Sequence, residues 1–246
     1  MTGNKKKKFT RILILICVIV LGGTLGCAVY LNDYYRADME CIEAFVSASS
    51  VDMQMNENGD LVFLPEDAKA GFIFYPGGKV EYKAYIPLMN ELASKGILCI
   101  LVEMPFNLAV LDMNAAEGIC QQYSEVESWY IGGHSLGGYM AASYFEKSME
   151  DYDGLILLGS YSTADLSELN LDVLSIYGSE DQVMNREKYD ENKENLSEDF
   201  VEIILDGGCH AYFGMYGEQE GDGTATITNE DQIYAASDAI IEFINP

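Results

Sequence analysis

Residues 133–137 read Gly-His-Ser-Leu-Gly and match the pattern G-x-S-x-G. The apolar run 129–131 precedes them and a helical pattern over 138–145 follows, which is the strand-to-helix context of a nucleophile elbow. In such an elbow a strained turn lifts the serine hydroxyl out of the sheet, where it can attack a carbonyl carbon. The pattern therefore predicts that Ser135 is a nucleophile for acyl chemistry.

A serine hydroxyl needs a base to take its proton, and the chain contains only two histidines. His134 belongs to the elbow, where its side chain should point away from that of Ser135, so we interpret it as structural. His210 follows the apolar run 200–205 and should lie on a loop at a strand end, where open α/β sheets carry catalytic groups. We therefore predict that His210 is the base.

A carboxylate must hold the imidazole in its productive tautomer, and the chain order for this kind of site is serine, acid, histidine. Asp181 fits that order and follows the strand-like run 173–177 through a turn. Glu180 is the competing candidate, and a solvated surface charge is the alternative for any one of the 40 acidic residues. The chain order and the loop position favour Asp181.

Acyl transfer also needs amide groups that donate hydrogen bonds to the developing oxyanion. The residue after the nucleophile, Leu136, supplies one such amide. The second should come from the segment Pro-Gly-Gly-Lys at 76–79, which follows the strand-like run 71–75, and we choose the Gly78 amide over that of Lys79. An ordinary turn is the alternative for this segment.

Together with other stretches, these residues resemble the α/β-hydrolase superfamily and, within it, the alpha/beta hydrolase fold-5 family. The resemblance runs from about residue 70 to the end of the chain and is most specific after His210. It implies a hydrolase without naming a substrate. Cys209 departs from it, since a polar residue such as Asn is expected there. The matching stretches are 76–80 with Tyr85, 104–109, 132–138, 154–158, Tyr177 and Gly178 with Asp181, and His210 with 213–214, 216–217, Gln219 and 221–223.

Strand-like runs alternate with helical patterns, which predicts an α/β fold with a mostly parallel central sheet and helices on both faces. A first hairpin should pair 51–55 with 61–64 across Asn58-Gly59. Only about 14 residues separate the strand at 155–158 from the next one, so we expect a minimal cap or none. The aromatic segment 212–216 either forms a wall of the site or packs in the core. The helical patterns cover 82–95, 113–123, 138–147 and 231–243.

The segment 12–31 contains 20 residues without a charge and is long enough to cross a membrane as a helix. Four lysines and Arg11 precede it, so the positive-inside rule predicts a cytoplasmic N-terminus and an extracytoplasmic remainder. A cleaved signal peptide and a lipoprotein acylated at Cys27 are the alternatives, and both also export the remainder. The predicted organisation is a basic cytoplasmic N-terminus (1–11), a transmembrane signal anchor (12–31), a juxtamembrane helix or linker (32–49) and an α/β-hydrolase domain (50–246).

Five of the 14 basic residues lie before residue 12, so residues 32–246 hold nine basic and all 40 acidic residues, a formal net charge of −31. Such a charge excludes nucleic acid as a partner and repels polyanions. The cysteines and histidines show no metal-ligand spacing, so we predict no metal and no cofactor. Cys41, Cys120 and Cys209 could pair in an oxidising compartment, whereas Cys99 lies in an apolar run and is interpreted as a small buried hydrophobe.

These observations predict a membrane-anchored, extracytoplasmic serine hydrolase for a small-molecule acyl substrate. It would cleave a carboxylic ester or a related acyl bond through Ser135, His210 and Asp181, with an acyl-enzyme intermediate. An acyltransferase would use the same three residues. A catalytically silent fold that serves as an anchored binding module is the alternative from another class.

Overall fold

A single eight-stranded sheet organises the computed structural model, which describes residues 3–169, 171–198 and 200–244. The strands are Asp52–Met55 (β1), Leu61–Leu64 (β2), Ala70–Tyr75 (β3), Ile97–Leu101 (β4), Ser128–His134 (β5), Gly154–Leu158 (β6), Asp172–Gly178 (β7) and Val201–Leu205 (β8). They lie in the order β1-β2-β4-β3-β5-β6-β7-β8. The β1–β2 and β2–β4 pairs are antiparallel and all others are parallel. The predicted mostly parallel sheet and first hairpin are confirmed.

Helices cover both faces of this sheet. The helices of the chain are Gly3–Asn32 (α1), Met39–Val46 (α2), Ile86–Ser94 (α3), Leu136–Phe145 (α4), Arg186–Asn192 (α5) and Asn229–Ile244 (α6), and of these α3, α4 and α6 pack on the sheet. Side chains of a strand alternate between faces, so Phe72 and Phe74 of β3 pack with α3 and α6 while Ile73 and Tyr75 pack with α4. Both faces of β3 to β6 are thus buried, which explains their continuous apolar runs.

Two helical elements differ from the prediction. The pattern over 113–123 does not form an α-helix; turns fill this stretch and only the short 3₁₀ segment Cys120–Gln122 is helical. Gly118 interrupts it with a φ of +76°, a conformation outside any right-handed helix. The short helix α5, begun by an Asn185 side chain that accepts from the Lys188 amide, was not predicted.

The aromatic segment 212–216 contributes chiefly to the core. Phe213, Met215 and Tyr216 are buried with the side chains of α3 and α6. Of the two alternatives for this segment, core packing is the one observed for these three residues.

The chain divides into two compact units, one ending at Tyr34 and the other beginning at Tyr35. The first contains α1, whose stretch Lys8–Asn32 is long and apolar enough to cross a membrane, a criterion that a signal sequence also meets. In the second, Tyr35 forms a bridge to Val80, and the Asp38 amide donates to the Met215 carbonyl at 2.9 Å. Much of the segment predicted as a juxtamembrane helix or linker, 32–49, therefore packs as part of the second unit.

Candidate active site

Ser135 occupies a sharp turn between β5 and α4. Its backbone angles are φ 52° and ψ −122°, which a residue with a side chain adopts only under strain. A Cβ atom at Gly137 would overlap the carbonyl oxygens of Tyr75 and Pro76, so the close approach of strand and helix requires glycine there. The Ser135 side chain is half-buried, and its hydroxyl makes no hydrogen bond within the described residues.

Asp181 and His210 form a buried pair. The His210 Nδ1 and Asp181 Oδ2 atoms are 2.7 Å apart, and both side chains are shielded from solvent. The other oxygen, Asp181 Oδ1, accepts the Val183 and Met184 amides at 2.9 and 2.8 Å. A carboxylate oxygen in this position can accept the N–H of Nδ1, an arrangement that leaves Nε2 of His210 able to accept a proton. Within the described part of the chain, Nε2 is buried without a hydrogen-bond partner.

Glu180, the competing acid, does not reach the histidine. Its Oε1 atom accepts from the Ser179 hydroxyl at 3.1 Å in an exposed turn. The structure therefore brings Asp181 rather than Glu180 to His210.

The three side chains follow the carboxyl ends of β5, β7 and β8. The strand β6 lies between β5 and β7, and the residue that follows it, Gly159, lines the same cavity as Ser135. A Cβ atom on Gly159 would lie 2.9 Å from His210 Nδ1 and 3.2 Å from Asp181 Oδ2. The absence of a side chain at this position gives the acid–histidine pair its space.

Gln232 on α6 holds the backbone just before His210. Its Oε1 atom accepts the Cys209 amide at 2.9 Å, and its Nε2 atom donates to the Cys209 carbonyl at 2.7 Å. Burial raises the pKa of the Cys209 thiol to about 12, so it stays protonated at neutral pH. Although Cys209 departs from the family pattern, the two hydrogen bonds to Gln232 anchor its backbone.

Asp222 joins the loop of the acid to the loop of the histidine. Its Oδ2 atom accepts the Ala211 amide at 2.8 Å, and its Oδ1 atom accepts the Gln182 amide at 3.3 Å. These amides belong to the residues that directly follow His210 and Asp181. At the next residue, Gly223, a Cβ would overlap the Glu180 carbonyl oxygen. The stretch 221–223 therefore packs directly against the turn that carries the acid.

The residues whose amides are predicted to donate to the oxyanion, Gly78 and Leu136, are in close contact. A Cβ atom on Gly78 would lie 2.8 Å from Leu136 Cδ2. The Lys79 amide donates to the Asn107 carbonyl at 2.7 Å and so is already used, whereas neither the Gly78 nor the Leu136 amide has a partner within the described residues. Of the two candidates in the 76–79 segment, the geometry leaves the Gly78 amide available.

His134 lies in a buried network next to His210. The Tyr85 hydroxyl accepts the Gly77 amide at 3.1 Å and lies 2.8 Å from His134 Nδ1. Burial raises the pKa of Tyr85, so the hydroxyl keeps its proton. Burial, together with the charge of nearby His210, holds the pKa of His134 well below its ordinary value. The rings of His134 and His210 are 4.4 Å apart between centroids.

Four of these positioning residues lay outside the sequence prediction of the site. Tyr85 and Asp222 belong to stretches that carry the family resemblance, but nothing in their spacing indicates a contact with the site. Gln232 appeared only as one position of a helical pattern, and Gly159 as the residue after a strand.

Within the described ranges, no group of three or more His, Cys, Asp or Glu side chains could hold a metal ion. All six cysteines are free thiols there, including Cys41, Cys120 and Cys209.

The comparisons with known proteins agree with this architecture. The model of the alpha/beta hydrolase family matches residues 71–234. No curated protein matches the sequence significantly. Among similar solved structures is the dienelactone hydrolase from Anabaena variabilis ATCC 29413, with a TM-score of 0.58 and 13% identity over 78% of this chain and 98% of that chain. Est1E from Butyrivibrio proteoclasticus has a TM-score of 0.57 and 13% identity over 80% of this chain and 100% of that chain. The esterase domain of a Rhodothermus marinus protein has a TM-score of 0.56 and 12% identity over 78% of this chain and 95% of that chain.

Proposed function

Because this chain belongs to the alpha/beta hydrolase family, we propose that it is a serine esterase that cleaves carboxylic esters or related acyl bonds. The observation that carries the proposal is the buried pair between Asp181 Oδ2 and His210 Nδ1 at 2.7 Å, at the same sheet edge as a strained elbow serine. The unpaired Nε2 atom of His210 is the base that this chemistry needs. Two of the similar structures are named as an esterase domain and as a hydrolase, which fits this activity.

The geometry supports a two-step reaction. His210 Nε2 takes the Ser135 proton while the serine oxygen bonds to the substrate carbonyl carbon, and the resulting oxyanion accepts from the Gly78 and Leu136 amides. The C–O bond to the alcohol then breaks, His210 returns the proton to the departing alcohol, and an acyl-enzyme remains. Water attacks the acyl-enzyme by the same route and releases the acid and free Ser135.

The local contacts support the roles in this reaction. Asp181 holds its own turn through Oδ1 and the imidazole through Oδ2, so the ring keeps one tautomer and one orientation. The elbow places Ser135 at the start of α4, where its hydroxyl has no competing hydrogen bond within the described chain. An available Gly78 amide beside Leu136 provides donors where negative charge develops.

We also propose a location for the protein. The stretch Lys8–Asn32 meets the length and composition of a membrane span, and basic residues precede its apolar centre. We infer that this helix is retained as an anchor and that the hydrolase unit faces the extracytoplasmic side.

The activity is tested by the hydrolysis of p-nitrophenyl butyrate by the full-length chain in a neutral detergent. Ser135→Ala should lower kcat by at least about 10³-fold, since the nucleophile is removed. Ser143→Ala is the matched control: it removes another α4 hydroxyl, which donates to the Tyr139 carbonyl at 2.9 Å, and should change kcat less than about twofold. Equal activity of the Ser135→Ala chain and the wild type would refute the proposal.

A further inference from the structure

A cavity of about 350 Å³ opens beside Ser135. Its other walls come from the start of α4, the segment after β6 and the segment after Asp181. Within the described part of the chain, none of the lining residues is charged; its main side chains are those of Leu136, Tyr139, Tyr161, Val183, Met184 and Asn185. A substrate group that extends from the Ser135 hydroxyl into this cavity therefore meets aliphatic side chains and aromatic rings.

The basic side chains of the adjacent helix α5 are engaged elsewhere. Arg186 stacks on the Tyr177 ring at 3.9 Å and donates to its hydroxyl at 3.0 Å. Lys188 pairs with Glu191 at 2.7 Å. A substrate carboxylate in the cavity would thus find no free cation from these two residues, although they follow the lining residue Asn185 closely in sequence.

Several polar groups of the walls are already paired. The Ser160 hydroxyl donates to the Ser135 carbonyl at 2.7 Å, and the Tyr139 hydroxyl lies 2.9 Å from the Thr163 hydroxyl. The Asn185 side-chain oxygen accepts the Lys188 amide at 2.9 Å. These contacts leave few donors to replace the water that a charged group would lose on binding.

We propose that this cavity binds an uncharged, apolar acyl group of about four to eight carbons and excludes acyl groups that end in a carboxylate. The proposal rests on the esterase function proposed above and names the substrate class of the same site. The size follows from the cavity volume, which lies near the lower end of the range for ligand pockets, about 300 to 1,000 Å³. The net charge of −31 over residues 32–246 adds a long-range repulsion of anions to the lack of a cation in the walls.

The test compares two esters that share p-nitrophenol and differ at the far end of a short acyl chain: p-nitrophenyl butyrate and mono-p-nitrophenyl succinate. The full-length chain in neutral detergent should hydrolyse the butyrate with a kcat/KM about 100-fold higher. A series of p-nitrophenyl esters of increasing acyl length should give the highest kcat/KM between about four and eight carbons.

A positive charge in the cavity wall should reduce the preference for the butyrate ester over the succinate ester. Val183 is half-buried and lines the cavity, so Val183→Arg would present a guanidinium to the acyl group. We expect this variant to lower the butyrate-to-succinate ratio at least about tenfold, chiefly through faster hydrolysis of the succinate ester. Val183→Gln is the control, because it adds a long polar side chain without a charge and should leave the ratio within about threefold of the wild type.

The outcomes separate the two proposals. If the wild type hydrolyses the succinate ester as well as the butyrate, or shows no dependence on acyl length, the acyl-group proposal is wrong while the esterase function stands. If neither ester is hydrolysed faster than by the Ser135→Ala chain, the esterase function fails and the acyl-group proposal fails with it.

Discussion

Asp181 uses its two carboxylate oxygens for two tasks. One oxygen fixes its own turn through the Val183 and Met184 amides, and the other holds the His210 ring. The carboxylate cannot rotate without breaking one of these sets of bonds. In the proposed reaction, this arrangement makes Asp181 a rigid support for the imidazole rather than a group that itself transfers protons.

Replacing this acid with its amide tests that role. Asp181→Asn should lower kcat for p-nitrophenyl butyrate by about 10³- to 10⁴-fold, since the amide allows the wrong tautomer of His210. Glu180→Gln makes the same chemical change one residue earlier, on a side chain that contacts Ser179 rather than His210, and should leave kcat within about twofold. If kcat falls by a comparable factor in the two variants, Asp181 has no role in catalysis that Glu180 lacks.

We expect His134 to make the free energy of unfolding depend on pH. Its pKa lies well below the ordinary value because of burial and the charge of His210, so below about pH 6.5 the unfolded chain binds a proton there that the folded chain does not. The free energy of unfolding should therefore fall as the pH drops through this range, by up to about 1.4 kcal/mol per pH unit from this group.

Urea unfolding at about pH 7.5 and about pH 5.5 measures this effect. His134→Gln removes the titrating ring, so the wild type should lose about 1 kcal/mol more than the variant between the two pH values. If the two chains lose equal stability, His134 is not held neutral in the folded protein.

At the scale of elements, the site depends on two loops that long-range contacts join. The turn after β7 carries Asp181, and the loop after β8 carries His210. Asp222, which follows both in sequence, accepts one amide from each loop, and Gln232 on α6 fixes the backbone at Cys209. The sequence pattern did not predict the contacts of Asp222 and Gln232. Each contact joins residues more than ten positions apart, whereas the pattern describes local structure.

Asp222→Ala should show that this connection positions the site. Loss of the hydrogen bonds to the carboxylate, including those from the Ala211 and Gln182 amides, should lower the free energy of unfolding by about 2 kcal/mol and kcat by about tenfold, since the acid and histidine loops are no longer held together. Glu218→Ala removes an exposed acid from the same segment and should change neither quantity measurably. A kcat for Asp222→Ala equal to that of the wild type would show that the loops keep their geometry without it.

The sequence predicts well those elements that depend on local residue patterns. The alternation of strand-like apolar runs with helical patterns predicts the parallel sheet, and the G-x-S-x-G pattern predicts the turn at Ser135. The helix predicted over 113–123 does not form, because Gly118 takes a positive φ that the residue pattern does not reveal. The chain order and the loop position favoured Asp181 over Glu180, but the directions of two adjacent side chains in a turn, which the structure gives, lie outside the sequence pattern.

For the whole molecule, an apolar N-terminal helix precedes a strongly acidic unit. The compact unit that begins at Tyr35 includes the β1–β2 hairpin, the sheet and all the proposed catalytic residues. Its surface charge favours solubility, so any membrane affinity should come from α1.

Phase partitioning in a detergent that separates on warming tests this division. The full-length chain should enter the detergent-rich phase with an intact mass that includes α1, whereas a chain lacking residues 1–34 should stay in the aqueous phase with unchanged kcat/KM. A mass that lacks the N-terminal segment would support the signal-peptide alternative. Detergent partitioning of the shortened chain would place the membrane affinity in the second unit.

Covalent labelling by a fluorophosphonate tests the claim that His210 activates Ser135, and it needs no knowledge of the substrate. The full-length wild type should form one adduct, which peptide mass spectrometry locates at Ser135, and His210→Ala should lose most of the labelling while keeping its circular dichroism spectrum. A folded wild-type chain that forms no adduct, or forms it on another serine, would contradict the claim.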